Sequence, residues 1–98
     1  MTINFNKTSG ALSIALVGRL DTVTAPELES FISKNFDGTS ALTINCKELS
    51  YVSSAGLRVL LATQKRVQKG GAMKLINVCE AVMEVFEMTG FADILVIE

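Results

Sequence analysis

The sequence predicts a single α/β domain, residues 1–98, with a mostly parallel sheet and one antiparallel N-terminal edge strand. Three observations predict it. The first apolar residues alternate with a period of two, three later segments carry apolar residues at helical spacing, and short apolar runs separate those segments. The chain has material for one core, since a domain of 98 residues buries roughly 60 to 70% of its unfolded surface.

Ile3 and Phe5, then Leu12, Ile14 and Leu16, alternate on either side of Lys7-Thr8-Ser9-Gly10. So short a connection forces antiparallel pairing and predicts a hairpin with the first strand at an edge. After Gly18-Arg19-Leu20-Asp21 the period changes. Thr24-Ala25-Pro26-Glu27 has capping-box spacing with Pro in the first turn, and Ala25, Leu28, Phe31, Ile32 and Phe36 follow at helical spacing. This predicts a helix from about Thr24 to Phe36, ended by an Asp37-Gly38 turn.

Ala41 to Cys46 is a short apolar run with β-branched residues, expected as a strand covered on both faces. Lys47 to Val52 is expected to be a linker. From Ser54 a second helix places Leu57, Leu60, Leu61 and Val67 on one face, with Arg58, Lys65, Arg66, Gln68 and Lys69 on the other. Gly70-Gly71 is expected to end it as a left-handed cap. Met73 to Ile76 is the next strand. Asn77-Val78-Cys79-Glu80 again has capping-box spacing, before a third helix with Val78, Val82, Val85 and Phe86 on one face and Gly90 at its end. Ile94 to Ile97 is expected to be the last strand, so the order reads β-β-α-β-α-β-α-β.

Composition excludes several function classes. Nine basic and ten acidic residues leave a net charge of −1, and no window gathers Lys or Arg into a stripe suited to a phosphate backbone, which argues against nucleic acid. Apolar runs fall short of the roughly 20 residues that span a bilayer, and the N-terminus has no secretory pattern, so a soluble cytoplasmic protein without membrane insertion is expected. Cys46 and Cys79 lack metal or redox-motif spacing and read as buried thiols. Histidine is absent, which removes the usual general base and the commonest metal ligand. No P-loop, Ser-x-x-Lys or Gly-x-Ser-x-Gly pattern surrounds the serines. No catalytic residue, cofactor or metal is expected.

Sites in open α/β sheets lie beyond the carboxyl ends of the strands. The loops Arg19–Val23 and Lys47–Ser53 should therefore share one rim, with Asp21 close to the Ser53-Ser54 pair. Gly56 costs up to about 1 kcal/mol in a helix relative to Ala, so close packing or a close approach is expected there.

Gly18-Arg19-Leu20-Asp21 before a Thr-capped helix, Leu49-Ser50-Tyr51-Val52-Ser53-Ser54-Ala55-Gly56-Leu57 entering a second, Gly70-Gly71 before a strand, and Val85-Phe86-Glu87-Met88-Thr89-Gly90 together resemble a STAS domain. More narrowly the chain resembles a stand-alone anti-sigma factor antagonist, over nearly its whole length. The resemblance implies a partner-switching protein. It would bind an anti-sigma factor that is also a serine kinase of ATP-binding fold, be phosphorylated by it at Ser54, and be restored by a PP2C-type phosphatase. Ser53 stands where the family often has Asp; it keeps the capping oxygen without the charge and offers a second hydroxyl. Many members also end in an extra helix that this sequence lacks. The implied partner surface comprises Asp21, Thr22, Tyr51, Ser53, Ser54, Ala55, Gly56 and Arg58. The alternative is a non-switching STAS subunit of an ABC-type lipid transport system, in which the serine is only a contact.

Overall fold

The computed structural model describes residues 1–36 and 39–98; the expected Asp37-Gly38 turn lies outside them. The hairpin forms as expected from β1 (Thr2–Thr8) and β2 (Ala11–Leu20). Its register is unbroken from Thr2↔Val17 to Thr8↔Ala11. The two-residue loop turns at Gly10, whose φ of 77° lies in the left-handed region.

Helix α1 (Ala25–Asn35) buries Ala25, Leu28 and Ile32 and has Pro in its first turn. The capping box expected at Thr24 does not form. Thr24 already has helical backbone angles, and no side-chain cap bond is made. Its hydroxyl instead accepts from the Asp21 N–H at 2.8 Å and donates to the Arg19 carbonyl at 2.7 Å.

Strand β3 (Ala41–Val52) continues through the expected linker. It pairs with β2 in parallel from Ala11↔Ala41 to Leu20↔Val52, with register shifts between Ala15 and Val17 and between Gly18 and Arg19. The shifts explain the misreading. Buried residues fall at 42, 44 and 46 and then at 49 and 52, so period two is lost where β3 gains its extra residues.

Helix α2 (Ser54–Val67) and β4 (Ala72–Ile76) follow. Beyond Leu57, Leu60 and Val67, α2 also buries Val59, Thr63 and Gln64, while Leu61 is half-buried. Gly70 and Gly71 are not left-handed. Gly71 is there for clearance, since a Cβ on it would lie 1.8 Å from the Ser40 carbonyl oxygen.

Helix α3 (Glu80–Thr89) ends at Gly90, which is left-handed at φ 80° as expected. The capping box expected at Asn77 is absent. Cys79 is the N-cap residue and gives no side-chain bond. Asn77 adopts φ 57° and donates from Nδ2 to Asn45 Oδ1 at 3.1 Å.

The sheet has four strands in the order β1-β2-β3-β4, with β1-β2 antiparallel and the rest parallel. Ile94 to Ile97 does not form the fifth strand expected. It meets β4 through the single parallel bridge Leu75↔Ile97, with Leu75 N–H donating to Val96 O and Glu98 N–H to Leu75 O. A short 3-10 helix (Phe91–Asp93) precedes it. The N–H groups of Ile94 and Leu95 both bond back to Phe91, which holds the start of the segment in turn geometry. Leu95 is buried in the core, and the Gln64 amide donates to the Ile94 carbonyl.

This strand order decides which face is covered. Right-handed crossovers that all step the same way place their helices on the same side. Leu12, Ile14 and Leu16, Leu42, Ile44 and Cys46, and Met73 and Leu75 accordingly meet Leu28, Ile32, Leu60, Val82 and Phe86 in one cluster. The opposite face, with Ser13, Thr43 and Asn45, is exposed or half-exposed. The expectation that β3 is covered on both faces is thus corrected.

Candidate functional site

The carboxyl ends of β2 and β3 form the expected rim, and backbone bonds build it. Arg19 pairs with Tyr51 and Leu20 with Val52, and the Ser53 N–H then donates to the Leu20 carbonyl at 2.8 Å. Asp21 and the two serines are thus attached to adjacent, hydrogen-bonded backbone.

Ser53 and Ser54 do different things. Ser53 is the N-cap residue of α2, extended at φ −92° and ψ 175°, and its hydroxyl oxygen accepts from the Gly56 N–H at 3.3 Å. It satisfies one of the donors that a helix start leaves unpaired. Ser54 is the first helical residue and is exposed. No acidic residue lies in that first turn, so the positive end of the helix dipole is not offset there.

Asp21 is committed to its own turn. One carboxylate oxygen accepts from the N–H groups of Val23 and Thr24, each at 3.0 Å, and the other lies 3.7 Å from Arg19. The Thr24 N–H in particular holds the carboxyl below its ordinary value of 3.8. Partial desolvation works against this, while Val23, the Thr24 hydroxyl and Arg19 assist. Asp21 therefore shapes the rim by fixing the loop rather than by bonding a serine hydroxyl.

The other expected residues divide by exposure. Thr22, Tyr51 and Arg58 are exposed and Ala55 is half-buried. Thr22, Ala55 and Arg58 come together with Pro26 and Glu29 around a groove of about 250 Å³ between the starts of α1 and α2. Gly56 does not belong to the outer surface. It is buried, and a Cβ there would lie 2.7 Å from Leu20 Cγ and 2.9 Å from Leu20 O, so the clearance it provides is for the chain's own packing. A larger hollow, about 420 Å³, lies on the open sheet face and contains none of these residues.

Two rim residues escaped the sequence reading. The Arg19 guanidinium lies over the Tyr51 ring, 4.3 Å from its centroid. That pairing follows from a register shift, which the sequence does not signal. Val23 is 78% exposed, held out by the Asp21 turn; a bare valine beside a polar turn was the available sign. Elsewhere, burial and the neighbouring Cys79 push the Cys46 thiol up to about 12, which suits an inert core residue.

Among the described residues, no helix is long and apolar enough to cross a membrane. Comparison with known proteins extends these observations. The family model described as "STAS domain" matches residues 2–98. The anti-sigma-B factor antagonist of Bacillus subtilis (strain 168) is 31% identical over 96 residues, covering 97% of this chain and 88% of the relative. The structure of an anti-sigma factor antagonist from Mycobacterium paratuberculosis superposes with a TM-score of 0.86 at 26% identity, covering 98% of this chain and 83% of that one. The unphosphorylated antagonist SpoIIAA shares the fold at 22% identity and a TM-score of 0.85, covering 99% of this chain and 88% of its own. Its phosphorylated form does so at 20% and 0.76, covering 99% and 91%. Anti-sigma factor antagonists are non-enzymatic regulators, and it is among their homologues, within the STAS domain family, that this chain belongs.

Proposed function

We propose that the chain is a cytoplasmic anti-sigma factor antagonist that works by partner switching. Unphosphorylated, it binds an anti-sigma factor that is also a serine kinase of ATP-binding fold, using the rim around Thr22, Tyr51, Ser54, Ala55 and Arg58. Phosphorylation of Ser54 releases it, and a PP2C-type phosphatase returns it to the binding form.

One observation carries the choice of residue: the Ser53 hydroxyl is engaged as the cap of α2, whereas Ser54 is exposed on the first turn. A phosphate on Ser54 adds about −1.5 to −2 charges where the free N–H groups and the helix dipole favour an anion. The fold has no reason to change, in keeping with the two forms of SpoIIAA that share it. The partner must then desolvate or repel a dianion, and about 5.5 kcal/mol suffices to move a binding equilibrium from 99:1 to 1:99.

The test is incubation with the cognate anti-sigma kinase and ATP, read by mass spectrometry. One added phosphate is expected, lost in Ser54→Ala and retained in Ser53→Ala. Absence of modification on the wild type with a kinase that binds the chain would leave the non-switching transporter-subunit reading as the better one.

A further inference from the structure

The two edges of the sheet are treated differently. At the β4 edge the chain's own tail pairs through the Leu75↔Ile97 bridge. At the other edge β1 has no neighbour beyond β2 among the described residues. This strand also lacks most of the devices that keep an edge from pairing: it has no proline, no register shift and a single charged residue, Lys7.

The hairpin tells which backbone groups face outward. A two-residue loop makes Thr8 and Ala11 a pair that exchange backbone bonds, and alternation along an antiparallel ladder repeats this at Asn6, Asn4 and Thr2. Ile3, Phe5 and Lys7 therefore turn their N–H and C=O groups away from β2. Phe5 adds apolar surface at the middle of the strand. Its ring meets Phe31 edge-on at 4.8 Å between centroids, yet the residue remains 54% exposed.

We propose that β1 is the pairing edge for a second copy of this chain, joined antiparallel about a two-fold axis through Phe5. The register follows from the alternation. With the axis at Phe5, each copy's Phe5 faces the other's, and Ile3 faces Lys7 twice, so three residue pairs exchange backbone bonds. Moving the axis to Asn4 or Asn6 leaves two such pairs within the strand. The side chains agree with the same register. An aromatic pair forms at the centre, Asn4 faces Asn6 and Thr2 faces Thr8 on the open sheet face, and no like charges oppose one another. Each surface is its own complement, as a two-fold contact requires. The Ser54 rim, two strands away after β3, stays uncovered on both copies. The dimer thus offers its partner two rims at opposite ends of one doubled sheet, whatever the role of phosphorylation.

Sedimentation equilibrium from about 1 µM to about 1 mM chain tests this, with amide hydrogen exchange read at the extremes. A reversible dimer is expected within that range, with exchange at Ile3 and Phe5 slowed at high concentration. Phe5→Lys removes the aromatic pair and sets like charges against each other across the axis, and should weaken dimerisation by about tenfold or more. The half-exposed position should let the monomer keep its fold, checked by circular dichroism. A monomer throughout the range with unchanged exchange at Ile3 and Phe5 overturns the proposal. So does a dimer that Phe5→Lys leaves intact.

Discussion

Ser53 and Ser54 are adjacent in sequence and differ in what surrounds their hydroxyls, and that difference can be measured. Ser53→Ala removes the cap of α2 and should cost about 1 kcal/mol in denaturant unfolding. Ser53→Asp keeps the capping oxygen and adds a charge favoured by the dipole, so it should match or exceed the wild type in the same experiment. A loss in both variants would remove the cap from the account. Asp21 makes a prediction about acid. Its carboxyl is held below the ordinary 3.8, so its contribution is present above that value and lost as pH falls through the lower folded value. The wild type should therefore lose thermal stability between about pH 5 and about pH 2 more steeply than Asp21→Asn, by calorimetry. Asp21 also shows where a spacing rule misled: Thr24 and Glu27 have capping-box spacing, but the Thr24 N–H is taken by the Asp21 carboxylate and the Glu27 N–H by the Thr24 carbonyl.

At the level of elements, the three helices and the hairpin were legible because each has an unambiguous period, although the capping boxes read at Thr24 and Asn77 and the left-handed cap read at Gly70-Gly71 do not form. Strand β3 was only half legible. Up to Cys46 its burial alternates, but the shifts at Lys47-Glu48 and Ser50-Tyr51 break the alternation while the backbone remains paired to β2. A periodicity argument sees the first and is blind to the second. The last segment failed for the opposite reason. Ile94 to Ile97 has strand composition, but its first residues bond back to Phe91 and only one bridge forms. The adjacent glycines carry a prediction of their own. Gly71→Ala drives a Cβ into the Ser40 carbonyl and should destabilise by about 1–3 kcal/mol or more. Gly70→Ala meets nothing within 4 Å and has no left-handed backbone, so it should be neutral or stabilising by about 0.4–1 kcal/mol. Unfolding curves of the two variants should separate accordingly.

For the whole molecule, one core cluster joins all three helices to one face of the sheet, and the rim lies at the strand ends outside it. Binding and folding can therefore be altered separately. Ser54→Asp should leave the melting temperature within a few degrees of the wild type, since surface substitutions usually stay within about 0.5 kcal/mol. Titration of the proposed anti-sigma partner should show weaker binding to Ser54→Asp than to the unphosphorylated wild type, and unchanged affinity would speak against charge as the signal. The rim's location was readable in advance because parallel strands bring their carboxyl ends together. The Arg19 stack on Tyr51 was not, because it depends on how far β3 runs past β2, whereas the close packing at Gly56 was expected from the cost of glycine in a helix.

That extra run has a consequence for how such chains tolerate insertions and deletions. Between Ala15↔Asn45 and Leu20↔Val52, β3 takes up two more residues than β2. The extra residue there leaves two neighbours, Lys47 and Glu48, on the exposed side before burial resumes at Leu49, so removing one of them would restore the alternation and keep Leu49 facing the core. A one-residue deletion there is thus absorbed, with Leu49 and Val52 kept in the core and Ser54 on the exposed first turn of α2. The placement of Ser54 is thus buffered by the register shifts against a one-residue change in the strand that leads to it.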